Sequence, residues 1–179
     1  HIMGFEDEIF NITPMAIDIN DTRGLHAAEL TRDALRNIGK VVAGSDILLC
    51  GASYRQDVGD TRYSGSEIVV RKLTEMNGEM RVHDPYVEHW FELETQDTYP
   101  APGHSWARFF RNQDDLVNIR VQKDLAQALK GVQAMILAVP HEQYLDLDPD
   151  KIIEWAGGPI AVIDCFGILD DDKIRRYFE

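Results

Sequence analysis

The sequence predicts an α/β domain of three layers, a mostly parallel β-sheet with helices on both faces, preceded by a long helix. Three observations predict it. Short apolar runs of strand length alternate with segments of helical period. The runs are apolar on both faces, as in strands buried inside a parallel sheet. Gly, Pro and capping residues punctuate the boundaries between them.

The elements follow in order. Residues 4–20 give no clear pattern. Asp21 or Thr22 is placed to cap a helix in which Ala27, Ala28, Thr31, Ala34, Leu35 and Ile38 recur at helical spacing. Glu29, Arg32, Asp33 and Arg36 take its other face, and Gly39 ends it. Asp46 to Gly51 reads as the first strand. A polar loop runs from Ala52 to Tyr63, and Ser64-Gly65-Ser66-Glu67 reads as a capping box. The helix it opens turns Val69, Val70, Leu73 and Met76 inward and stops at Asn77-Gly78. Met80 to Asp84 is a second strand, ended by Pro85.

Residues 88–116 break the pattern with aromatics, Pro100, Pro102 and scattered charge, and predict an irregular insertion. Its aromatics Trp90, Phe91, Tyr99, Trp106, Phe109 and Phe110 are expected to pack as a hydrophobic cluster, a lid or subunit contact being the alternatives. Val117 to Val121 reads as a short strand, Asp124 to Lys130 as a short helix and Ala134 to Val139 as a buried strand. Asp148-Pro149 supplies N-cap and first helical position of a further helix, stopped by Gly157-Gly158-Pro159. Ile160 to Asp164 is the last strand, and Asp170 caps a final helix through Tyr177.

Composition narrows the function. The net charge is −13 over 179 residues, without a compensating basic patch. Such a polyanion is a poor binder of nucleic acid or of an anionic membrane. No apolar stretch approaches the roughly 20 residues of a membrane span. Cys50 and Cys165 show no zinc-site spacing and are expected as buried, reduced thiols of a cytoplasmic protein. His1-Ile2-Met3 reads as an expression remnant, so the natural start is expected to be missing.

Chemistry is expected in the loop Gly51 to Tyr63. In a doubly wound sheet it lies at the strand carboxyl ends, where ligands bind. It brings Arg55 and Arg62 to a helix N-terminus, a setting that favours a phosphorylated ligand. The same spacing serves equally well for loop ion pairs of these arginines with Asp57 and Asp60. The loop has no Gly-x-Gly-x-x-Gly, so it carries no dinucleotide fingerprint. Asp84 is expected to form an Asp-Pro turn, and His141 a structural contact at a strand end.

Gly51 through Tyr63, ending in Gly59-Asp60-Thr61-Arg62, resembles the motif that opens the C-terminal domain of the UDP-glucose/GDP-mannose dehydrogenases. His83-Asp84-Pro85-Tyr86, the segment Asp124 to Val139 with His141, and Ile163-Asp164 with Ile168-Leu169-Asp170 resemble later landmarks of that family in the same order. Ile19-Asn20-Asp21 and the helix after it look like the end of the long helix leaving the central domain.

The resemblance implies a Rossmann-like domain that binds the nucleotide of a UDP-sugar, in an NAD-dependent enzyme oxidising the sugar C6 alcohol to a carboxylate. Residues 1–40 would be a tag remnant and the linker helix, and 41–179 the C-terminal nucleotide-sugar-binding domain. Tyr54 and Arg55 would contact substrate, Arg55 standing where the family usually has lysine, and Arg62 would reach toward NAD. Phe166 stands where many members carry a cation, which bears on sugar identity. The NAD fingerprint and the catalytic cysteine, lysine and asparagine of the family belong to segments outside this chain. The resemblance therefore implies no catalytic residue here, partners in the chain's own N-terminal and central domains, and a homodimer or larger oligomer of the whole enzyme. The alternative is a stand-alone or degenerate nucleotide-binding module without catalysis.

Overall fold

A computed structural model of the chain describes residues 12–96 and 113–175. The elements run α1 (Ile12–Asp21), α2 (Arg23–Asn37), β1 (Asp46–Cys50), α3 (Gly65–Glu75), β2 (Glu79–His83), α4 (Phe91–Glu94), α5 (Asp114–Val117), β3 (Val121–Gln122), α6 (Leu125–Leu129), β4 (Ala134–Leu137), α7 (Glu142–Leu145), α8 (Pro149–Ala156), β5 (Ala161–Asp164) and α9 (Asp171–Arg175). The five strands form one parallel sheet in the order β3-β2-β1-β4-β5. This is the α/β, Rossmann-like arrangement that the sequence predicts.

The period of two along β1 explains the layers. Ile47 and Leu49 join a core cluster with Ala28 and Leu35 of α2 and Val69, Val70 and Leu73 of α3. Leu48 and Cys50 face the other way, into a cluster with Leu125 and Leu129 of α6, Tyr144 of α7 and Ile152 of α8. Residues 47–50 are fully buried, which is why the run is apolar on both faces. Tyr144 tolerates this burial because its hydroxyl sits 3.1 Å from the His83 carbonyl and 2.7 Å from His83 Nδ1.

Several expectations are corrected. Thr22 does not cap α2: its hydroxyl donates to the Asp18 carbonyl, so α1 runs into α2 with a single-residue interruption. Residues 88–116 are not wholly irregular, for α4 and α5 are single helical turns within or overlapping them. The strand expected at 117–121 shrinks to β3, because Asp114–Val117 coils instead. The capping box is half formed. Ser64 Oγ accepts from the Ser66 N–H, but the Glu67 carboxylate turns to Arg71 one helical turn on. Cys165 is exposed rather than buried, since it follows β5 at its open end. Trp90 packs in the main core while Phe91 is exposed; Tyr99, Trp106, Phe109 and Phe110 lie outside the described residues, as does Tyr177.

Helices α2 and α3 cross closely at Gly24. A Cβ there would stand 2.7 Å from the Gly65 carbonyl oxygen and 3.1 Å from the Ile68 side chain. Among the described residues, no helix is long and apolar enough to cross a membrane.

Candidate functional site

The chain leaves β1 toward β2 on one side of the sheet and returns through β4 on the other. The carboxyl ends of β1 and β4 therefore frame the switch point, where open α/β sheets bind ligands. The loop after β1 is fixed there from both ends. Gly51 takes φ +101, and its carbonyl accepts from Ser66 Oγ at 2.7 Å. The Ser53 carbonyl accepts from Ser64 Oγ at 3.0 Å, so the first residues of α3 grip the loop they follow.

Asp84, at the end of β2, is the hub. Its Oδ2 accepts from the backbone N–H groups of Ala52 (2.8 Å) and Ser53 (3.2 Å), and Oδ1 from those of Tyr86 (2.8 Å) and Val87 (3.0 Å). Burial alone pushes this carboxyl up, but these donors and a hydrogen bond from His141 outweigh it and hold it at about 2. The Asp-Pro turn expected there is present, and it reaches beyond its own backbone to the loop after β1. Lys123, after β3, braces the turn by donating to the carbonyls of Asp84, Pro85 and Val87.

His141 closes the arrangement from the loop after β4. Its Nδ1 accepts from the Asp57 N–H at 2.9 Å, and its Nε2 lies 3.1 Å from Asp84 Oδ2 and 3.2 Å from Ser53 Oγ. Asp57 in turn accepts from the Glu142 N–H at 3.0 Å. That bond, opposed by burial and aided by Gln56 and Tyr86, holds the Asp57 carboxyl below the usual range. The structural contact expected for His141 is what the geometry shows.

These ties leave Tyr54 and Arg55 at the loop surface. Tyr54 is 49% exposed, and the Arg55 guanidinium lies 5.7 Å from the centre of its ring. Arg55 has no carboxylate partner among the described residues. Arg62 differs. It binds Asp60 through Nε at 2.9 Å and Nη2 at 2.7 Å, which holds the Asp60 carboxyl at about 2. Of the two loop pairings the sequence allowed, one therefore forms. The Arg62 side chain still exposes 74% of its surface. Phe166 is 57% exposed in a turn wrapped around the Asp164 carboxylate, which accepts from the N–H groups of Phe166, Gly167 and Leu169.

Behind the loop lies a network that sequence reasoning missed. Thr61 donates to Glu92 Oε2 at 2.7 Å, and Arg71 donates to Glu67 at 2.8 Å and to the Glu92 carbonyl. The spacing of Glu67 and Arg71 by one helical turn was the available signal. Burial pushes the Glu67 carboxyl up to about 7, against the opposing pull of Arg71. A carboxyl raised in the folded state contributes stability that is complete below its ordinary value of 4.5 and lost as pH rises through about 7. Denaturant unfolding should accordingly give a lower stability at about pH 8 than at about pH 5, and Glu67→Gln should reduce that difference by on the order of 1–3 kcal/mol. An unchanged pH slope in the variant would remove Glu67 from this role.

A parallel sheet of this order, with its switch point between β1 and β4, defines a doubly wound, Rossmann-like α/β domain. Residues 48–171 match the UDP binding domain of the UDP-glucose/GDP-mannose dehydrogenase family, and the chain belongs to that family. A UDP-glucose 6-dehydrogenase of Pongo abelii is 24% identical over 165 residues, which are 91% of this chain and 31% of that protein. UDP-glucose 6-dehydrogenase 2 of Oryza sativa subsp. japonica is 22% identical over 94% of this chain and 35% of its own length. Among solved structures, an NDP-N-acetyl-D-galactosaminuronic acid dehydrogenase from Methanosarcina mazei Go1 shares the fold with a TM-score of 0.73 at 21% identity, over 96% of this chain and 31% of that one. A UDP-D-ManNAc dehydrogenase from Pyrococcus horikoshii does so with a TM-score of 0.70 at 20% identity, over 93% and 32%. The chain thus spans about a third of the length of the relatives it matches.

Proposed function

We propose that this domain holds the nucleotide diphosphate of a UDP-sugar for an NAD-dependent 6-dehydrogenase, whose remaining parts oxidise the sugar C6 alcohol to the carboxylate. The observation that carries the reading is Arg55. In a chain of net charge −13, it stands exposed at the switch point without a carboxylate partner among the described residues. The loop beneath it is immobilised by buried hydrogen bonds, so the guanidinium is presented from a rigid base. Its forked donors suit phosphate oxygens, and the half-exposed Tyr54 ring beside it offers a face to a ribose or base.

The relatives' names, UDP-glucose 6-dehydrogenase among them, support the choice of UDP-sugar. The nicotinamide of NAD would accept the hydride. The loop after β1 has no glycine-rich turn to cradle a dinucleotide, and Arg62, still largely exposed on its Asp60 pair, is the contact this chain offers. Burial raises the Cys50 thiol; Cys165 is exposed as a residue, but partial desolvation at its sulfur, with the nearby Asp164 carboxylate, raises its thiol too. Neither is an activated nucleophile, which supports a catalytic cysteine elsewhere. The whole enzyme is proposed to be cytoplasmic and homo-oligomeric, with this chain packed against its own N-terminal and central domains.

Calorimetric titration of the chain with UDP, GDP and NAD tests the reading. Saturable UDP binding is expected, weakened by about 1.5–3 kcal/mol in Arg55→Ala, the size of a charge-assisted phosphate contact. Wild-type affinity in that variant would remove Arg55 from the site. No nucleotide binding by the wild type would overturn the domain's independent role.

A further inference from the structure

We propose that His141 is a positioning residue for the nucleotide loop, setting the direction of Tyr54 and Arg55 without touching ligand. The proposal deepens the function inferred above and rests on it for the identity of the ligand.

The imidazole is fully buried, and its two nitrogens grip the loop on either side of residues 54–56. On one side Nδ1 faces the Asp57 N–H and must present its lone pair. The proton therefore sits on Nε2, directed at the Asp84 carboxylate and the Ser53 hydroxyl. Ser53 Oγ donates in turn to the Arg55 carbonyl at 2.9 Å. One ring thus fixes Ser53 and, through it, the Arg55 peptide, while the other nitrogen fixes Asp57.

Asp57 needs such a hold. Its φ is +56, in the left-handed region that a residue with a side chain occupies at some cost. The ring itself is packed 5.1 Å from Tyr86 and 5.6 Å from Tyr144, centre to centre. Ser53, His141 and Asp84 have the composition of a nucleophilic triad, but both oxygens share Nε2 and the serine proton is spent on a carbonyl. The cluster orients a loop and activates no hydroxyl.

Two variants separate positioning from packing. His141→Phe keeps a ring of similar size and removes both nitrogens. His141→Asn restores an acceptor near the Asp57 N–H. Nitrogen NMR of the wild-type imidazole should show the neutral form protonated at Nε2; protonation at Nδ1 would overturn the proposal whether or not the variants fold. Hydrogen exchange of the Asp57 amide should quicken about tenfold or more in His141→Phe, with amides of β1 and β4 unchanged. UDP affinity should fall about tenfold in His141→Phe and recover to within roughly threefold of wild type in His141→Asn. Unchanged Asp57 exchange in His141→Phe, or unchanged UDP affinity with that amide released, would sink the idea. If the wild type binds no UDP, the domain's independent nucleotide binding fails, and the imidazole protonation and amide exchange still decide whether His141 sets the loop.

Discussion

Gly51→Ala is expected to cost this domain about 3–5 kcal/mol or more, enough to unfold a marginal protein. A Cβ at this position would stand 2.5 Å from Val139 Cβ, 2.8 Å from its Cγ2 and 2.9 Å from its backbone nitrogen. The backbone cannot retreat. The Gly51 N–H donates to the His83 carbonyl, and its own carbonyl accepts from Ser66. A φ of +101 adds strain for any residue with a side chain. Urea unfolding of the variant measures the loss. Val139→Ala in the same chain should restore only part of it, because the Cβ–Cβ collision and the strained φ both remain. A loss below about 1 kcal/mol would mean that the exits of β1 and β4 separate easily, contrary to this geometry.

The second large effect is expected at Asp84. Its replacement by alanine removes the acceptor from four backbone N–H groups and from His141, within a buried turn. Each orphaned donor costs about 1–3 kcal/mol, partly relieved by relaxation, so a net loss of about 3–5 kcal/mol is expected. Asp84→Asn preserves shape but points an amide N–H₂ at one of the two donor groups, and should still lose about 2–4 kcal/mol. The pH dependence discriminates further. The Asp84 carboxyl lies at about 2 in the fold, below its ordinary 3.8. A depressed carboxyl contributes stability that is full above 3.8 and lost as pH falls through about 2. The wild type should therefore weaken across that acid window, and the Asn variant should lack that component. Equal acid slopes would place the carboxylate's contribution elsewhere.

The parts of the fold that were legible in the sequence are those where local chemistry and tertiary need coincide. The run Ile47 to Cys50 is apolar on both faces because both faces are covered. Asp148 caps α8 with its side chain, and Gly157 ends it at φ +80. Legibility fails where a side chain has two possible partners. Glu67 stands at the capping-box position, yet Arg71 takes its carboxylate. Thr22 looks like a cap, yet it bonds backward into α1. β3 is a two-residue edge strand, too short for any periodicity to register.

The site divides in the same way. Asp60 and Arg62 are two residues apart, so their pairing could be anticipated. The hold of His141 on Ser53 and Asp57 spans 88 and 84 residues, and nothing local announces it. The Asp84 turn was visible as Asp-Pro, but its reach to Ala52 and Ser53 depends on the parallel register of β1 and β2.

The close crossing at Gly24 makes the incoming helix a lever on the loop. With a bare backbone meeting the Gly65 carbonyl, α2 and the start of α3 approach too closely for any side chain at residue 24. A slide of α2 along its own axis would press on Gly65 and so on Ser64 and Ser66, whose hydroxyls hold the Ser53 and Gly51 carbonyls. The path from the helix axis to the residues around Arg55 is therefore short: one backbone contact at Gly65 and two serine hydroxyls.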